Sequence, residues 1–125
     1  KKIRQATSTD KGITWGEVTP MDIPNPGSSV DVVVLANGHW VLLCNDTTEG
    51  RHIVTAYLSE DEGLTWPLSR QLESFEPDAG SGSYFSVIQS KDGLIHVTYS
   101  YKNEKTPGSS IKHVAFEEAW ITGGN

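Results

Sequence analysis

Short apolar segments rich in β-branched residues recur along the chain, with polar turns between them. Segments 30–35 and 40–44 flank an Asn-Gly pair at 37–38, which is typical of a tight hairpin turn. Two more apolar segments follow at 53–58 and 68–72, after a polar loop and a second turn. This pattern predicts four consecutive antiparallel strands.

A second set of strands is predicted after a segment at 74–83 that is rich in Gly, Ser and Pro. Residues 84–89 and 94–101 flank an Asp-Gly turn at 92–93, and residues 110–116 are predicted to form a third strand. The strand order of the first set therefore begins again.

An eight-residue motif occurs twice, and its second copy lies 51 residues after the first. Five residue types recur in register: Ser8, Asp10, Gly12, Thr14 and Trp15 in the first copy, and Ser59, Asp61, Gly63, Thr65 and Trp66 in the second. The aspartate is expected to accept hydrogen bonds from backbone N–H groups of its own turn, and the glycine to take a positive φ. Threonine and tryptophan then begin the next strand. We expect the motif to lock a hairpin, which is a structural role and not a catalytic one.

The spacing of the two motifs is typical of a four-stranded propeller blade. Residues 1–20 are then the third and fourth strands of one blade, with the first motif between them. Residues 26–73 form a complete blade that contains the second motif, and 81–120 form the first three strands of the next. The predicted fold is all-β: a partial β-propeller of about two and a half four-stranded antiparallel blades.

Composition argues against several classes of function. The formal net charge is −6 and Lys and Arg form no cluster, so nucleic acid is not an expected partner. An apolar run of about 18 residues is absent, which argues against a membrane-spanning helix. Cys44 is the single cysteine, and neither it nor the histidines show the spacing of a metal site. We expect no metal and no cofactor.

The two motifs are similar to the Asp box, or BNR repeat, of sialidases (neuraminidases). The segments 25–31, 84–89, 92–99 and 111–114 also resemble the C-terminal part of such proteins. The resemblance therefore covers nearly the whole chain. It implies a sialidase-type propeller, expected to have six blades. It also implies an exo-sialidase-like glycoside hydrolase that acts on terminal acidic sugars of glycans.

The resemblance further implies roles for individual residues. Sialidases bind the carboxylate of the sugar with three arginines, and a tyrosine attacks the anomeric carbon. Arg51 resembles the last of these arginines, and Tyr84 resembles the nucleophile. The first two arginines, the acid/base aspartate and the glutamate that activates the tyrosine are expected upstream in a full-length enzyme. This stretch by itself is therefore expected to be catalytically inactive.

Topology is expected to bring further polar residues to the same place. In a propeller, the loops between strands two and three lie at the same end as the loops that connect successive blades. The Asp-box hairpins lie at the opposite end. The residues expected to contact substrate are Asn25, Asp31, Asn45, Arg51, Tyr99, Lys112 and His113.

Two other functions stay open at this point. A polysaccharide lyase that acts on uronic acids would use His113 and Tyr84 as acid/base groups. A non-catalytic module would bind glycans or assemble with copies of itself. Because open sheet edges and bare blade faces are unfavourable, we expect the missing blades to belong to the same parent chain, or copies of the chain to close the ring. The first is favoured, since residue 1 falls inside a predicted strand.

Overall fold

The computed structural model describes residues 1–123, and within them the protein consists of nine β-strands and one short helix. In chain order the strands are β1 (Lys2–Gln5), β2 (Thr19–Pro24), β3 (Asp31–Val34), β4 (Trp40–Cys44), β5 (Ile53–Ser59), β6 (Leu68–Ser74), β7 (Gly80–Gln89), β8 (Ile95–Asn103) and β9 (Ser109–Phe116), and the helix is α1 (Glu118–Thr122).

The strands form three antiparallel sheets. Strands β1 and β2 pair in the first sheet, β3 to β6 form the second in sequential order, and β7 to β9 form the third, also sequentially. The second sheet is a complete four-stranded meander, which is the unit of a propeller blade. The three sheets do not close into a ring. The prediction of an all-β partial propeller is confirmed.

The largest hydrophobic core fills the seam between the second and third sheets. Side chains on a strand alternate between its two faces, and on β8 the residues Ile95, Val97 and Tyr99 are buried whereas His96 and Thr98 are half-buried. The other buried members of this core are Leu35, Val41, Leu43, Val54, Ala56, Leu58, Phe85, Val87, Phe116 and Ile121. The two sheets are therefore packed face to face as consecutive blades.

A smaller core lies between the first and second sheets. Ile3 of β1 and Ile23 of β2 are clustered with Leu42 and Cys44 of β4, and the side chain of Trp66 packs against them. Burial raises the pKa of the Cys44 thiol to about 12, so this cysteine is an unreactive part of the core.

The second copy of the motif, between β5 and β6, is a closed hydrogen-bond network. The hydroxyl of Ser59 donates to Asp61 Oδ1 (2.7 Å) and accepts from the Gly63 N–H (2.8 Å). Asp61 Oδ1 also accepts from the Thr65 N–H (2.8 Å), and Asp61 Oδ2 accepts from the Thr65 hydroxyl (2.6 Å). The aspartate thus fixes both ends of its own turn, as an Asx-type turn residue does.

The first copy, between β1 and β2, repeats this network. Asp10 accepts from the hydroxyl of Ser8 (2.8 Å) and from the N–H of Thr14 (2.8 Å). In both copies the residue before the glycine also has a positive φ, 62° at Lys11 and 59° at Glu62. The sequence pattern indicated a positive φ at the glycine alone, because nothing in a lysine or glutamate favours that conformation.

Strands β2 and β7 depart most from their predicted bounds. The fourth strand of the first unit runs from Thr19 to Pro24, so this unit extends past its predicted end at residue 20. Its prolines are tolerated because β2 lies at the edge of its sheet. Strand β7 begins at Gly80, within the segment that was predicted as a loop.

The early start of β7 has a steric cause. A Cβ atom at Gly80 would lie 2.6 Å from the ring of Phe75, and one at Gly82 would lie 2.6 Å from Val54 Cγ2. The two glycines therefore let the strand approach the second sheet closely, and a Gly-rich strand of this kind is easily taken for a loop.

The chain after β9 forms helix α1 in place of a third copy of the motif. Arg70 of β6 donates to the Trp120 carbonyl (3.0 Å), and its guanidinium lies 4.4 Å from the centroid of the Trp120 ring. Glu118 lies 2.9 Å from the imidazole Nδ1 of His39. The helix is thus docked on the second sheet. It is too short to cross a membrane, and it is the only helix in the described residues.

Candidate functional site

Two loops reach strand β7 at the end of the molecule that lies opposite the two Asp boxes. The loop before β5 is joined to β7, because the Arg51 carbonyl accepts from the Gly82 N–H (3.0 Å). The loop before β3 also reaches β7, since Ser29 Oγ accepts from the Tyr84 N–H (3.1 Å). Arg51 and Tyr84 therefore belong to one end of the molecule, in two consecutive blades.

The side chains of Arg51 and Tyr84 are in direct contact. The guanidinium carbon lies 5.1 Å from the centroid of the tyrosine ring, within the range of a cation–π interaction. A hydrogen bond from Arg51, and then its positive charge, lower the pKa of the Tyr84 phenol from the ordinary value. The contact favours the phenolate form, which is the nucleophilic form of tyrosine.

The backbone of Tyr84 is strained. Its φ is 58°, a left-handed conformation that an aromatic residue rarely adopts. It sits in an irregularity of the β7–β8 pairing between Ser83 and Ser86, and its side chain is 65% exposed. Such strain at an exposed side chain is typical of functional positions, where the surrounding structure holds an unfavourable conformation.

The described residues include only part of the set of side chains that the resemblance to sialidases implies. Among the described residues, no carboxylate is hydrogen-bonded to Tyr84, and its pKa is set by Arg51 alone apart from burial. Arg70 is engaged with Trp120, and Arg4 lies on β1 in the first sheet. One arginine and one tyrosine are thus present together.

Asn45 is buried, and both the oxygen and the nitrogen of its side-chain amide are hydrogen-bonded. Its Nδ2 donates to the carbonyls of Ile53 (2.8 Å) and Gly82 (2.9 Å), and its Oδ1 accepts from the hydroxyl of Ser28 (2.7 Å). It therefore ties three segments of the site together. Substrate binding by Asn45 stays a prediction, and the geometry favours a positioning role.

Asn25 and Asp31 are placed in a similar way on the loop and strand that precede the site. Asn25 Oδ1 accepts from the N–H groups of Gly27 (2.8 Å) and Ser28 (3.0 Å), so it shapes the loop before β3. Asp31 Oδ2 accepts from the Val87 N–H (2.9 Å) and links β3 to β7. Contact of either side chain with substrate stays a prediction.

Tyr99 and Lys112 lie together in the seam between the second and third sheets. The Tyr99 hydroxyl donates to Glu73 Oε1 (3.0 Å), and Lys112 Nζ forms a short ion pair with the same oxygen. Lys112 Nζ also lies 4.6 Å from the centroid of the Tyr101 ring. Burial, and then the charge of Glu73, raise the pKa of Tyr99. Glu73 was not predicted, since a glutamate near a strand end gives no sequence signal that it will be buried.

His113 lies on the outer face of the third sheet and pairs with His96. The two rings are nearly parallel, and His96 Nδ1 lies 2.9 Å from His113 Nε2. His96 Nε2 lies 2.9 Å from the hydroxyl of Ser90. No contact joins this pair to Arg51 or Tyr84 in residues 1–123. The predicted site residues therefore fall into three groups, of which the one with Arg51 and Tyr84 lies at the loop end.

A cleft of about 540 Å³ is lined in part by Arg51. Its walls are residues 49–52, 77–81, 102 and 104, and we call it the outer cleft. Its volume lies within the range of about 300–1,000 Å³ that is usual for small-molecule sites. Over the part of the chain that the structure covers, no group of three or more His, Cys, Asp or Glu side chains is arranged to hold a metal ion.

The sequence matches a known protein family. The family model described as BNR repeat-like domain matches residues 1–97, which span the first two sheets and the Arg51–Tyr84 contact. No curated protein matches the chain.

Proposed function

We propose that this chain, which belongs to the BNR repeat-like family, supplies one carboxylate-binding arginine and the nucleophilic tyrosine of a sialidase-type glycoside hydrolase. The substrates are terminal acidic sugars of glycans. Arg51 binds the carboxylate of the sugar and Tyr84 attacks its anomeric carbon. Activity requires further residues from blades outside the three sheets described above.

The contact between Arg51 and Tyr84 is the observation that carries this proposal. A guanidinium offers paired N–H donors that match a carboxylate, and it keeps its charge at every physiological pH. Tyrosine is the known exception to carboxylate nucleophiles among glycosidases, and sialidases are the case in which it occurs. A tyrosine remains a neutral phenol until a base removes its proton, so it approaches an anomeric centre beside a carboxylate without the repulsion that a second anion would meet.

The proposed mechanism needs a base and an acid that Arg51 and Tyr84 do not supply. A tyrosine with an ordinary pKa near 10 needs a base, and Arg51 lowers the pKa of Tyr84 without accepting its proton. A carboxylate from another blade would take that proton, and a second acid would protonate the leaving group. The 125-residue chain alone should therefore bind the sugar weakly and release none.

Exposed valines indicate where further strands pack. On β3, Val32 and Val34 are 42% and 59% exposed, whereas Phe85 and Val87 on β7 are 8% and 5% exposed. Both pairs lie on the first strand of a blade. Phe85 and Val87 are covered by the inner strands of the second sheet. The first sheet consists of β1 and β2 only and has no inner strands that could cover Val32 and Val34. We expect two more strands to pair with β1 and to cover these valines.

The strand count favours the same parent chain as the source of these strands. If two copies joined, the first sheet of one and the third sheet of the other would have five strands together, one more than the complete blade. A homo-oligomer that closes the ring in this way would leave one strand without a place in a four-stranded blade. Missing blades from the parent chain are thus the partner that we propose.

The geometry gives less support to a lyase. Acid/base catalysis by His113 and Tyr84 requires both groups within reach of one sugar ring. His113 is instead hydrogen-bonded to His96 on the outer face of the third sheet. In the glycosidase proposal, the two residues that this chain supplies, Arg51 and Tyr84, are already in contact.

Titration of the labelled chain with N-acetylneuraminic acid, followed by amide NMR shifts, tests the proposal. We expect saturable shifts at Arg51, Tyr84 and Ser29, with weak affinity because only one arginine is present. Arg51→Gln should abolish them. Arg4→Gln removes the same charge from the first sheet and should leave them unchanged.

Either of two results would contradict the proposed function. The first is the absence of saturable shifts at the loop end. The second is equal loss of binding in Arg51→Gln and Arg4→Gln, which would indicate non-specific attraction of an anion to positive charge.

A further inference from the structure

One face of the third sheet differs in chemistry from the corresponding face of the second. In each sheet, the first two strands are joined by a turn with the same backbone hydrogen bonds, which closes at residues 35 and 39 in the second sheet and at residues 90 and 94 in the third. Counted from these turns, three buried apolar residues of the second sheet correspond to three polar residues of the third: Leu35 to Ser90, Val41 to His96, and Ala56 to His113. Two imidazoles and a hydroxyl therefore stand together where the second sheet has part of its core.

The ring of His96 is held in one tautomer by the turn beside it. The hydroxyl of Ser90 lies 3.2 Å from the carbonyl of Leu94 and closer to Oδ1 of Asp92, so its single proton goes to the carboxylate. Ser90 Oγ is then the acceptor for His96 Nε2, 2.9 Å away, which assigns the ring proton to Nε2 and leaves Nδ1 unprotonated. Histidines that bind metal ions typically donate their other ring N–H to an oxygen acceptor, which orients the ring.

A charged carboxylate stands behind this arrangement. The hydrogen bond from Ser90, and then that from the N–H of Leu94, lower the pKa of Asp92 from its ordinary value. Asp92 is therefore ionised at neutral pH. A carboxylate at the far end of such a hydrogen-bond chain makes the free nitrogen of the imidazole a better electron-pair donor.

The distance between the two imidazoles is close to that in a metal site. The unprotonated Nδ1 of His96 faces Nε2 of His113 at 2.9 Å. Two imidazoles that bind one tetrahedral Zn²⁺ at about 2.0–2.1 Å hold their ligand nitrogens about 3.3 Å apart. His113 must turn so that both nitrogens point at the ion, and its ring proton moves from Nε2 to Nδ1. Its side chain is exposed, and within residues 1–123 its ring has no hydrogen bond other than the one to His96, so both changes are accessible.

The histidine pair opens into a cavity that has room for the rest of a coordination sphere. The cavity measures about 320 Å³ and is lined by Ser86, Ile88, Ser90, His96, Thr98 and His113. None of these lining residues is a lysine or an arginine, so no fixed positive charge in the wall repels a cation. Water molecules can therefore occupy the coordination positions that the two histidines leave open.

We propose that His96 and His113 bind one divalent transition-metal ion such as Zn²⁺, with Ser90 orienting His96 and water completing the coordination. Imidazole suits zinc, copper and nickel, whereas Mg²⁺ and Ca²⁺ prefer oxygen ligands. Because His96 lies on β8 and His113 on β9, the ion links the last two strands of the third sheet.

The site is independent of the proposed function, since it lies on the outer face of the third sheet without contact to Arg51 or Tyr84 in the described residues. Spacing along the chain gave no signal of it, because 17 residues separate the two histidines and only the pairing of β8 with β9 brings them together. With two protein ligands, it also lies below the clusters of three or more that the described residues lack.

Titration of the untagged 125-residue chain with ZnCl₂ tests the inference, followed by calorimetry and by the NMR shifts of the imidazole rings. We expect one saturable site, with shifts at His96 and His113, and no binding of MgCl₂ at the same concentrations. His113→Gln should lower the affinity for Zn²⁺ at least about tenfold, because it removes a ligand and outer partners alone are worth that much. His52→Gln removes a histidine outside the cavity and should leave the affinity unchanged.

Two variants of Ser90 test its positioning role. Ser90→Ala should lower the affinity for Zn²⁺ about tenfold, since the ring of His96 loses the acceptor that orients it. Ser90→Thr keeps the hydroxyl and should keep the affinity, whereas a purely structural role in the turn gives no reason for Zn²⁺ binding to follow the hydroxyl. The inference is overturned if no saturable Zn²⁺ site is found, if Mg²⁺ binds equally well, or if His113→Gln and His52→Gln act alike.

Discussion

The two copies of the Asp box have the same local structure and different surroundings. The residue after the glycine is equally exposed in both, 82% at Ile13 and 84% at Leu64. Hydrogen bonds from the threonine, and then from the serine, lower the pKa of Asp10 and of Asp61 to about 2. The box is therefore a self-contained turn that forms in both copies, one in the complete four-stranded sheet and one in the two-stranded sheet.

The tryptophans of the two boxes differ in burial, although the two turns have the same structure. Trp66 is half-buried in the seam between the first and second sheets, where it packs against Ile23 and Leu42. Trp15 is 63% exposed, and its indole N–H turns back to the carbonyl of Gly12 (3.1 Å). The box thus aims its tryptophan at the preceding blade, and the side chain is buried only where that blade is present.

Truncation of the two tryptophans gives the largest expected difference. Trp66→Ala should lower the free energy of unfolding by about 3 kcal/mol, the low end of the range for large aromatic side chains, because Trp66 is only half-buried. Trp15→Ala should change it by no more than about 0.5 kcal/mol, as is usual for an exposed side chain. Urea unfolding of the two variants measures both values. Equal losses would mean that the box tryptophan acts within its own turn and not between blades.

The glycines of the two boxes give a smaller difference. Gly12 and Gly63 have similar φ values, 87° and 83°, so an added Cβ is strained at both. At Gly63 that Cβ would also lie 2.7 Å from the ring of Trp40, whereas at Gly12 the nearest atom is 3.7 Å away. Gly63→Ala should therefore be less stable than Gly12→Ala by about 1–2 kcal/mol, within the usual cost of overpacking. The same unfolding experiment applies. An equal effect would leave backbone strain as the whole explanation.

The fold was largely predictable because its signals are local. Alternating apolar segments and Asn-Gly or Asp-Gly turns placed most of the strands, and the spacing of the boxes indicated blades. The start of β7 was missed because Gly80 is required by packing and not by a turn. A Cβ atom at Gly80 would meet the ring of Phe75, which lies between β6 and β7. The helix α1 was missed because its anchor, Arg70, lies 50 residues before Trp120.

The candidate site was predictable only in part. Blade topology was enough to expect Arg51 and Tyr84 at one end, and the structure brings them into contact. Blade topology alone does not separate side chains that face the cleft from those that face a seam between sheets. Tyr99 and Lys112 were therefore grouped with Arg51 and Tyr84. Their partner Glu73 is a buried carboxylate on another blade. Such pairings depend on packing between sheets, and a local sequence pattern does not predict that packing.

Ionisation of Tyr84 tests the central claim, that Arg51 and Tyr84 act as one unit, most directly. Alkaline titration of the ¹³C-tyrosine-labelled chain by NMR follows each phenol separately. We predict that Tyr84 ionises below the ordinary pKa of about 10 and before Tyr57 and Tyr99, whose pKa values are raised first of all by burial. Because a positive charge stabilises the phenolate, Arg51→Gln should raise the pKa of Tyr84, and Arg4→Gln should not. An unshifted Tyr84, or one that ignores the loss of Arg51, would contradict the account.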